Sequence, residues 1–586
     1  MFNKILFIVM RKKIYILTLA SIFLSCDKYD VPVAQTYDGV TSTRIASDAK
    51  HSAFTSLVKF NDYFYCAFRE GPAHTGDGGT VRIIRAKDGA KWETVQILKL
   101  ESASDVAREL SFSGNYQNMV IKHHNDFDFT LNDGFSATAY VNLSNIGKNS
   151  YIISNRNGGD GFELGYNNSQ LFADIAIPYL RVYQTPNNLA YDVWQHVGFV
   201  YDGPGKSATL YIDGKAINTG FYASGDYPKE FTTQESTYGN DIVLFSKAPN
   251  HKTNPLGYSS YSKGRIIFLR FWDKALNTDE IATDMESAVT ANTPNLIAGY
   301  DFSIREKSGN DYIIPDIKGK HPGILRNFVK DDFAPPTDLR DPKLSITADN
   351  RIMLLVDGEL YRSGKVSSRR PHVSFSDSNG ENFSELTRSD VYYPAEKTLS
   401  EESFWMWSHI YHKGVYFAFD YLHFTLFKSN DMGKTFTPIK RLDYEGIGEK
   451  PNETALYIDS DDKMYAFMRR SNKANGYLGT SLPPYTDWTY KELDYRIEGQ
   501  NVVPFNNDSF IMGTRSFDED HSNPKMSIYV TDLGGVIKKK IELPSGGDCS
   551  YPGLVLDKDF LWISYYSSHE GVTSIYFTKI PIEELR

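Results

Sequence analysis

The sequence is poor in cysteine, has fewer basic than acidic residues, and lacks a long apolar run after its first segment. Only Cys26, Cys66 and Cys549 occur among 586 residues. No Cys/His cluster has zinc spacing, and Cys66 and Cys549 form either a disulfide or, more simply, two buried free thiols. The formal charge of −10 argues against general nucleic-acid binding, although it leaves room for a local basic site.

The N-terminal segment is the one apolar run of note. "MRKKIYILTLASIFLSC", which begins at Met10, has a basic start, a short apolar core and a small residue, Ser25, before Cys26. This pattern predicts a secretory signal rather than a membrane-spanning helix. It resembles a bacterial lipoprotein signal over residues 1–26, which implies cleavage directly before Cys26 and acylation of that residue. The resemblance implies an exported protein, at the outer membrane or cell surface, whose contact with the membrane is through lipid.

The remaining chain is typical of an all-β protein. It contains 39 Tyr and 36 Phe, and short β-branched or aromatic runs alternate with Gly, Asn and Asp turns. A helical pattern is visible only near residues 277–291. The length predicts two or three domains.

A change of composition marks an insertion at residues 109–328. The segments "DVWQHVGFVYDGPGKSATLYIDGKAI" and "GRIIFLRFWDKALNTDEI" carry Trp194 and His196 at the start of one strand, a "LYIDGK" hairpin, and a strand ending at Trp272. These features resemble the laminin-G/concanavalin-like fold, which implies a β-sandwich. A structural role and a glycan-binding role both remain open for it.

The flanking segments, residues 36–108 and 330–586, are predicted to form one domain. "SNDMGKTF" at Ser429 to Phe436 fits an Asp-box, a hairpin turn in which Ser and Asp bind backbone amides and Gly takes a positive φ. Degenerate copies occur at 86–92 and 376–383. Such turns punctuate β-propellers, so we expect about six blades, with seven possible, closed by a strand near 41–47 that joins the last blade.

Several segments of this split domain resemble the sialidase-like (BNR/Asp-box) propeller family. The resemblance implies that Asp77 is a general acid/base and Arg69 a basic site residue. It further implies that Tyr551 in "DCSYPG" is a nucleophile partnered by Glu453. Arg469, 16 residues after Glu453, and Arg515 would then bind a substrate carboxylate.

The sequence also departs from this family. The arginine expected in the first strand is absent, and "HSAFT" puts His51 near its place. Residues that are unusual for a sialidase stand near the same turns. They are His74, the pair Arg340-Asp341, His409 and His569.

These departures favour elimination at a uronate over hydrolysis. Elimination needs cations to neutralise a carboxylate, a base to take the α-proton and an acid for the leaving group. The sequence predicts a carbohydrate-active lyase or dehydratase that acts near the non-reducing end of an acidic oligosaccharide or polysaccharide. It needs no cofactor and no metal. The alternatives are a retaining exo-glycoside hydrolase of sialidase type and a glycan-binding lipoprotein without turnover. The candidate catalytic residues are Tyr551, His74, Asp77, Glu453, His409 and His569, and the candidate substrate-binding residues are Arg69, Arg340, Arg469, Arg515, His51 and Tyr566.

Overall fold

The computed structural model describes most of the chain after residue 39. The described residues are 40–586 without 77, 101–105, 129–133, 157–160, 176–179, 206, 224–240, 250–256, 310, 330–331, 333–335, 363, 396–398 and 444–447. They contain 42 β-strands and one α-helix, which confirms the all-β prediction. None of the helical segments in these residues has the length and apolarity needed to cross a membrane. The predicted signal segment, Cys26 and Asp77 lie outside the described residues.

The first part of the chain forms a short strand and one complete four-stranded sheet. The sheet has the order β2-β3-β4-β5, with all neighbours antiparallel. The strands are β1 (Thr43–Ala46), β2 (His51–Phe60), β3 (Tyr63–Gly71), β4 (Thr80–Ala86) and β5 (Glu93–Leu98).

The next part forms two larger sheets that pack on a shared apolar core. One sheet has the order β16-β12-β11-β10-β9-β17-β7-β22-β21-β20, and the other has the order β15-β14-β13-β8-β18-β19, with β6 also paired to β18. The elements are β6 (Leu110–Ser113), β7 (Asn118–Ile121), β8 (Phe135–Leu143), β9 (Ser150–Ser154), β10 (Phe162–Asn167), β11 (Gln170–Ile175), β12 (Leu180–Gln184), β13 (Trp194–Asp202), β14 (Ser207–Ile212), β15 (Lys215–Ala216), β16 (Thr219–Ala223), β17 (Ile242–Leu244), β18 (Lys263–Trp272), α1 (Thr278–Glu286), β19 (Leu296–Asp301), β20 (Glu306–Ser308), β21 (Asp311–Ile314) and β22 (Gly323–Arg326). The predicted β-sandwich is therefore present.

The helix of the sandwich begins where the sequence predicted. Asn277 caps α1, because its side chain accepts the Glu280 N–H while the Glu280 side chain accepts the Asn277 N–H. The helix ends at Glu286, earlier than the predicted end near residue 291, because Ser287 has an extended backbone.

The chain after residue 336 forms five more small sheets. The strands are β23 (Thr337–Ile346), β24 (Ile352–Arg362), β25 (Lys365–Phe375), β26 (Thr387–Arg388), β27 (Asp390–Val391), β28 (Met406–His412), β29 (Val415–Asp420), β30 (Thr425–Ser429), β31 (Thr435–Arg441), β32 (Pro451–Ile458), β33 (Met464–Arg470), β34 (Tyr477–Ser481), β35 (Thr489–Glu492), β36 (Asn501–Asn506), β37 (Ser509–Ser516), β38 (Lys525–Asp532), β39 (Ile537–Glu542), β40 (Cys549–Asp557), β41 (Phe560–Ser567) and β42 (Ser574–Pro581). Short 3-10 turns lie at Asn125–Phe127 and Ile582–Leu585.

Six of the small sheets form a closed ring, which is the predicted propeller with six blades. The blades begin with β2, β23, β28, β32, β36 and β40, and each of these strands contacts the first strand of the next blade. The strand β40 contacts β2, so these strands surround the axis of the ring. The last blade has the order β1-β42-β41-β40, and the antiparallel pairing of β1 with β42 confirms that the N-terminal strand completes it.

The Asp-box turn has the predicted geometry. Between β30 and β31, the Ser429 hydroxyl accepts the Gly433 N–H at 2.8 Å and the Asp431 carboxylate accepts the Thr435 N–H at 2.9 Å. Gly433 has a φ of 77°, and Phe436 is buried. Cys66 and Cys549 are both buried free thiols, as the simpler interpretation held.

Candidate active site

A polar cavity lies where all six blades meet at one end of the ring. Its volume is about 280 Å³. Each blade or the loop that precedes it supplies at least one lining residue, which is how a propeller brings distant parts of a sequence together. The lining residues are His74, Arg340, Arg369, Trp405, Tyr421, Glu453, Arg469, Glu498, Gly499, Arg515 and Tyr551.

Irregular backbone in the first strand of three blades directs side chains toward this cavity. The pairing register of β23 shifts after Arg340, that of β32 between Pro451 and Thr454, and that of β40 between Ser550 and Gly553. Inside the last shift, Tyr551 has a φ of 52°. A bulge inserts unpaired residues and turns a side chain out of the regular alternation, so these shifts explain how Glu453 and Tyr551 reach the same cavity.

Tyr551 and Glu453 form a buried hydrogen-bonded pair on the wall of the cavity. The Tyr551 hydroxyl donates to Glu453 Oε1 at 2.6 Å, Arg469 Nη1 donates to the same oxygen at 2.8 Å, and the Gly499 N–H donates to Oε2 at 2.6 Å. Burial opposes ionisation of Glu453, but Arg469 and these hydrogen bonds together lower its pKa. Burial, and then the Glu453 charge, raise the pKa of Tyr551 well above its ordinary value. The resting pair is thus a neutral phenol on a carboxylate.

The cavity carries more positive than negative side chains. Four arginines and two glutamates lie among the described lining residues. Glu498 binds Arg469 at 3.2 Å and Arg515 at 3.0 Å, which fixes both guanidiniums from one side. The excess of guanidinium groups favours an anionic ligand, and guanidinium is suited to paired hydrogen bonds with a carboxylate.

Arg340 is the guanidinium with the most unused hydrogen-bonding capacity. Within the described part of the chain it makes no hydrogen bond or ion pair, and its Nε is buried without a partner. It lies 4.8 Å from the centre of the Phe54 ring and 5.8 Å from that of Trp405. Burial opposes its charge, but the nearby Asp341 and Glu359 carboxylates raise its pKa above the ordinary value. Its donors are therefore available to a ligand.

An aromatic surface forms another part of the wall. Trp405 and Tyr421 are stacked with ring centres 4.3 Å apart and an angle of 21° between the rings. Arg369 lies 4.8 Å from the Trp405 ring centre and is held by Glu359 at 2.7 Å. Trp407 is buried, and its ring centre lies 5.7 Å from that of Tyr551.

Asp548 connects four groups at the edge of the cavity. Its Oδ2 lies 2.7 Å from His74 Nδ1 and 3.0 Å from His51 Nε2. Its Oδ1 accepts the Tyr566 hydroxyl at 3.0 Å, and Arg515 Nη2 lies 3.4 Å away. Burial raises the pKa of this carboxyl, but the hydrogen bonds of His51 and His74 outweigh burial and hold the pKa well below its usual range. Asp548 thereby fixes the ring of His74, whose side chain is half exposed at the cavity.

The structure brings most, but not all, of the predicted residues together. Tyr551, His74, Glu453, Arg340, Arg469 and Arg515 line the cavity. His51 and Tyr566 do not line it, but both bind Asp548 behind it. Asp77 is outside the described residues, although the loop between β3 and β4 that carries it also carries His74.

Arg69 does not line the cavity, because all three of its guanidinium nitrogens donate hydrogen bonds inside the protein. It is completely buried, and its Nε and Nη2 each donate to the Asp338 carboxylate at 3.0 Å. Its Nη1 and Nη2 also donate to the carbonyl oxygens of Ala73 and Gly76. Arg69 therefore anchors the loop that carries His74.

His409 and His569 are also away from the cavity. His409 lies in β28 on the axis side, where its Nε2 contacts Ser345 Oγ at 2.7 Å; burial and the Lys343 charge lower its pKa to about 4. His569 follows β41 on the surface, with Nδ1 2.8 Å from Ser567 Oγ and its ring 4.8 Å from that of Tyr576. Neither imidazole is positioned to contact a ligand in the cavity.

Sequence reasoning missed three polar residues of the site. Asp548, Glu498 and Arg369 lie in turns or strands where an isolated charged residue is ordinarily solvated. Asp548 does follow Gly546 and Gly547 directly before the predicted nucleophile strand, and that position is the one signal that pointed to it. The others are recognisable only from contacts between blades.

Comparison with known proteins supports the β-sandwich part of the architecture. A model of the concanavalin A-like lectin/glucanase superfamily matches residues 113–282, within the β-sandwich. No curated protein sequence matches the chain.

Solved sialidase structures resemble the chain at low identity. The NanB sialidase from Streptococcus pneumoniae is 10% identical over 80% of this chain and 99% of its own, with a TM-score of 0.34. The leech intramolecular trans-sialidase is 10% identical over 82% and 98%, with a TM-score of 0.29. The Hadza microbial sialidase Hz136 is 13% identical over 84% and 96%, with a TM-score of 0.34. The fold assignment itself depends on the strand pairing and on the superfamily match.

Proposed function

We propose that this protein is a carbohydrate-active enzyme that acts on a sugar bearing a carboxylate, with Tyr551 and Glu453 at the reacting carbon. The observation that carries the proposal is the 2.6 Å hydrogen bond from Tyr551 to Glu453 in a cavity lined by four arginines. A phenol paired with a carboxylate base is the arrangement that a tyrosine nucleophile needs. The arginines supply the charge that holds the carboxylate of the substrate.

Retaining glycoside cleavage is the reaction that this geometry supports best. The Tyr551 oxygen attacks the anomeric carbon while its proton passes to Glu453. The glycosidic bond breaks, and its oxygen takes a proton from a general acid. Water then attacks the glycosyl–tyrosine, the acid group now takes a proton from water, and Tyr551 recovers its proton from Glu453. The raised pKa of Tyr551 is consistent with a nucleophile that loses its proton only during attack.

His74 is the described residue best suited to the acid/base role. Its Nδ1 is 2.7 Å from Asp548, so its other ring nitrogen remains available at the cavity. A carboxylate that binds one nitrogen of an imidazole fixes the tautomer and the direction of the other nitrogen. Asp77, in the same loop, is the alternative that the family resemblance implies.

Elimination at a uronate is the second candidate, and the His74–Asp548 pair favours it. In that reaction His74 takes the proton next to the substrate carboxylate, Arg340 stabilises the resulting charge, and Tyr551 protonates the departing oxygen. The departing group is a sugar in a lyase or water in a dehydratase. The sequence alone favoured elimination over hydrolysis; we reverse that order, because the Glu453 carboxylate accepts the proton of the Tyr551 phenol, as nucleophilic attack requires.

Product analysis in ¹⁸O-labelled water distinguishes hydrolysis from elimination. The protein is incubated with sialosides and with uronate oligosaccharides in ¹⁸O-water, and the products are weighed by mass spectrometry. Glycoside hydrolysis puts ¹⁸O at the anomeric carbon of the released sugar. Elimination leaves an unlabelled product with a new double bond and ultraviolet absorbance. Binding without either product supports the non-catalytic alternative and contradicts the proposal.

We also propose that the mature protein is exported and anchored through a lipid on Cys26. The basic, apolar and small-residue pattern before Cys26 supports this proposal. Expression in a bacterial host with a radiolabelled fatty acid gives labelled protein for the native chain and none for Cys26→Ser. Equal labelling of both chains contradicts the proposal.

A further inference from the structure

A second cluster of ligating side chains lies in the β-sandwich, far in sequence from the cavity of the propeller. The cluster consists of His124, Asp126 and His321, which we call the His–Asp cluster. One ligating atom from each residue lies within 4.8 Å of the other two. Asp126 and His321 are 195 residues apart, so no local spacing in the sequence indicates this group.

The contacts of His124 place two electron-pair donors next to each other. The Asp126 N–H donates to His124 Nδ1 at 3.1 Å, so this nitrogen acts as an acceptor. Asp126 Oδ1, which is also an acceptor, lies 3.4 Å from the same nitrogen. Two acceptors that face each other repel unless a cation or a proton lies between them.

His321 completes the cluster from a different segment. Its Nε2 lies 2.9 Å from Asp126 Oδ2, and its ring centre is 4.7 Å from that of His124. The side chain of His321 is buried, and its backbone is fixed, because its carbonyl accepts the Tyr300 hydroxyl at 2.7 Å. One ligand is thus held rigidly while the other two lie at the surface.

We propose that the His–Asp cluster binds a divalent transition-metal cation, with Zn²⁺ as the representative ion. Two imidazoles and one carboxylate match the nitrogen and oxygen ligands of zinc sites, whereas Ca²⁺ and Mg²⁺ prefer oxygen ligands alone. The three protein ligands leave further positions for water. Lys320 is a nearby cation, with Nζ 3.8 Å from Asp126 Oδ2; it is largely exposed and competes for the same carboxylate.

The metal would join the two ends of the inserted sandwich. His124 and Asp126 directly follow β7, and His321 directly precedes β22, which pairs with β7. A cation held between these segments fastens β7 to β22, the last strand before the chain leaves this domain. Because it binds the folded state, it stabilises the sandwich.

Calorimetric titration of the full chain with Zn²⁺ tests the proposal. All proteins carry His74→Ala, because His51, His74 and Asp548 form another candidate group that is removed in this way. We expect one equivalent of Zn²⁺ to bind and the melting temperature to rise. Asp126→Asn and His124→Ala should each weaken binding at least tenfold, and Lys320→Ala should strengthen it. Co²⁺ should give a visible absorption band that Asp126→Asn and His124→Ala lose and Lys320→Ala keeps.

His123→Ala is the matched control. His123 lies on the same segment, but its Nε2 contacts Asp128 at 3.0 Å rather than the cluster. Its affinity for Zn²⁺ should equal that of the parent. Absence of Zn²⁺ binding in the parent, or unchanged affinity in Asp126→Asn, overturns the proposal. Because His124 is exposed and Asp126 partly exposed, melting curves without metal should confirm that these variants remain folded.

Discussion

The sequence predicted some side chains of the cavity and did not reveal others. The family resemblance predicted Tyr551 with Glu453 as its partner, and Arg469 at a fixed separation from Glu453 within one blade; the structure brings the three within hydrogen-bond distance. It did not reveal Asp548 or Glu498, whose partners lie on other strands and loops. Alternation on β41 was predictable: Tyr566 binds Asp548, while Tyr565 points away and donates to the Pro544 carbonyl.

Substitution of the Tyr551–Glu453 pair should remove turnover without unfolding the protein. Tyr551→Phe deletes the attacking oxygen, so no covalent adduct forms and turnover is lost. Glu453→Gln removes the base and should lower kcat about 10²- to 10⁴-fold. Steady-state kinetics and mass spectrometry of the trapped adduct measure both effects. Tyr565→Phe is the control, since it loses hydrogen bonds outside the cavity; a similar loss of kcat in this variant would contradict the assignment.

Arg340 and Arg69 should respond in opposite ways to the same change. Arg340→Gln removes a guanidinium that makes no hydrogen bond to the described residues, so kcat/KM for an anionic substrate should fall about 10- to 100-fold. Arg69→Gln breaks the buried pair with Asp338 and should lower the free energy of unfolding by about 3–5 kcal/mol. Kinetics and urea unfolding on both variants measure the contrast. Loss of stability in Arg340→Gln, with unchanged kinetics, would contradict a ligand-binding role.

His409 should make stability depend on pH, whereas a catalytic role would make it affect kcat. Its folded pKa of about 4 lies below the unfolded value of about 6.5, because burial and Lys343 disfavour the charged ring. Its contribution is complete above about pH 6.5 and is lost as pH falls toward about 4, by up to about 3 kcal/mol. His409→Gln should flatten this dependence in urea unfolding at about pH 7 and about pH 4.5. A large loss of kcat with an unchanged pH dependence would support the catalytic prediction instead.

Turns and strands were more predictable than the cavity, because their geometry depends on residues that are close together in the sequence. The Asp-box at 429–436 and the cap of α1 each follow from residues within one turn. The register shifts at the start of β23 and β40 have no comparable local pattern. They depend on contacts with adjacent blades, so the sequence did not predict which side chains they turn into the cavity.

The Asp-box should contribute stability and nothing to catalysis. Asp431 accepts the Thr435 N–H and hydroxyl, and Gly433 has a positive φ with Val373 3.0 Å from the site of an added Cβ. Asp431→Ala should cost about 1–3 kcal/mol, and Gly433→Ala should cost a similar amount. Chemical denaturation measures both, and kcat at low temperature should equal that of the parent. Asn430→Ala, in the same turn, is the control with an expected effect within about 0.5 kcal/mol.

The overall architecture of the molecule was predictable from repeated sequence features. Asp-box turns and alternating strands predicted a propeller of about six blades, and the lectin-like motif predicted a sandwich between two parts of it; both are present. The sequence could not rank the chemistry, because the cavity is assembled from six blades that are far apart along the chain. Closure of the ring therefore matters for function as well as for stability.

Removal of β1, the strand that completes the last blade, should disturb the cavity more than it disturbs the other blades of the ring. The strand β1 pairs with β42, the Thr578 hydroxyl donates to the Thr41 carbonyl, and the Tyr565 hydroxyl contacts Ser42 Oγ at 2.7 Å. A chain that begins at residue 48 loses these bonds and exposes an edge in the blade that carries Tyr551. At about 0.5–1.5 kcal/mol for each lost hydrogen bond, several kcal/mol of stability should disappear. A chain that begins at residue 40 keeps β1 and is the control. Hydrogen exchange should show faster opening of β40 to β42 in the shorter chain, together with lower kcat. Equal exchange in both chains would mean that β1 does not close the ring in solution.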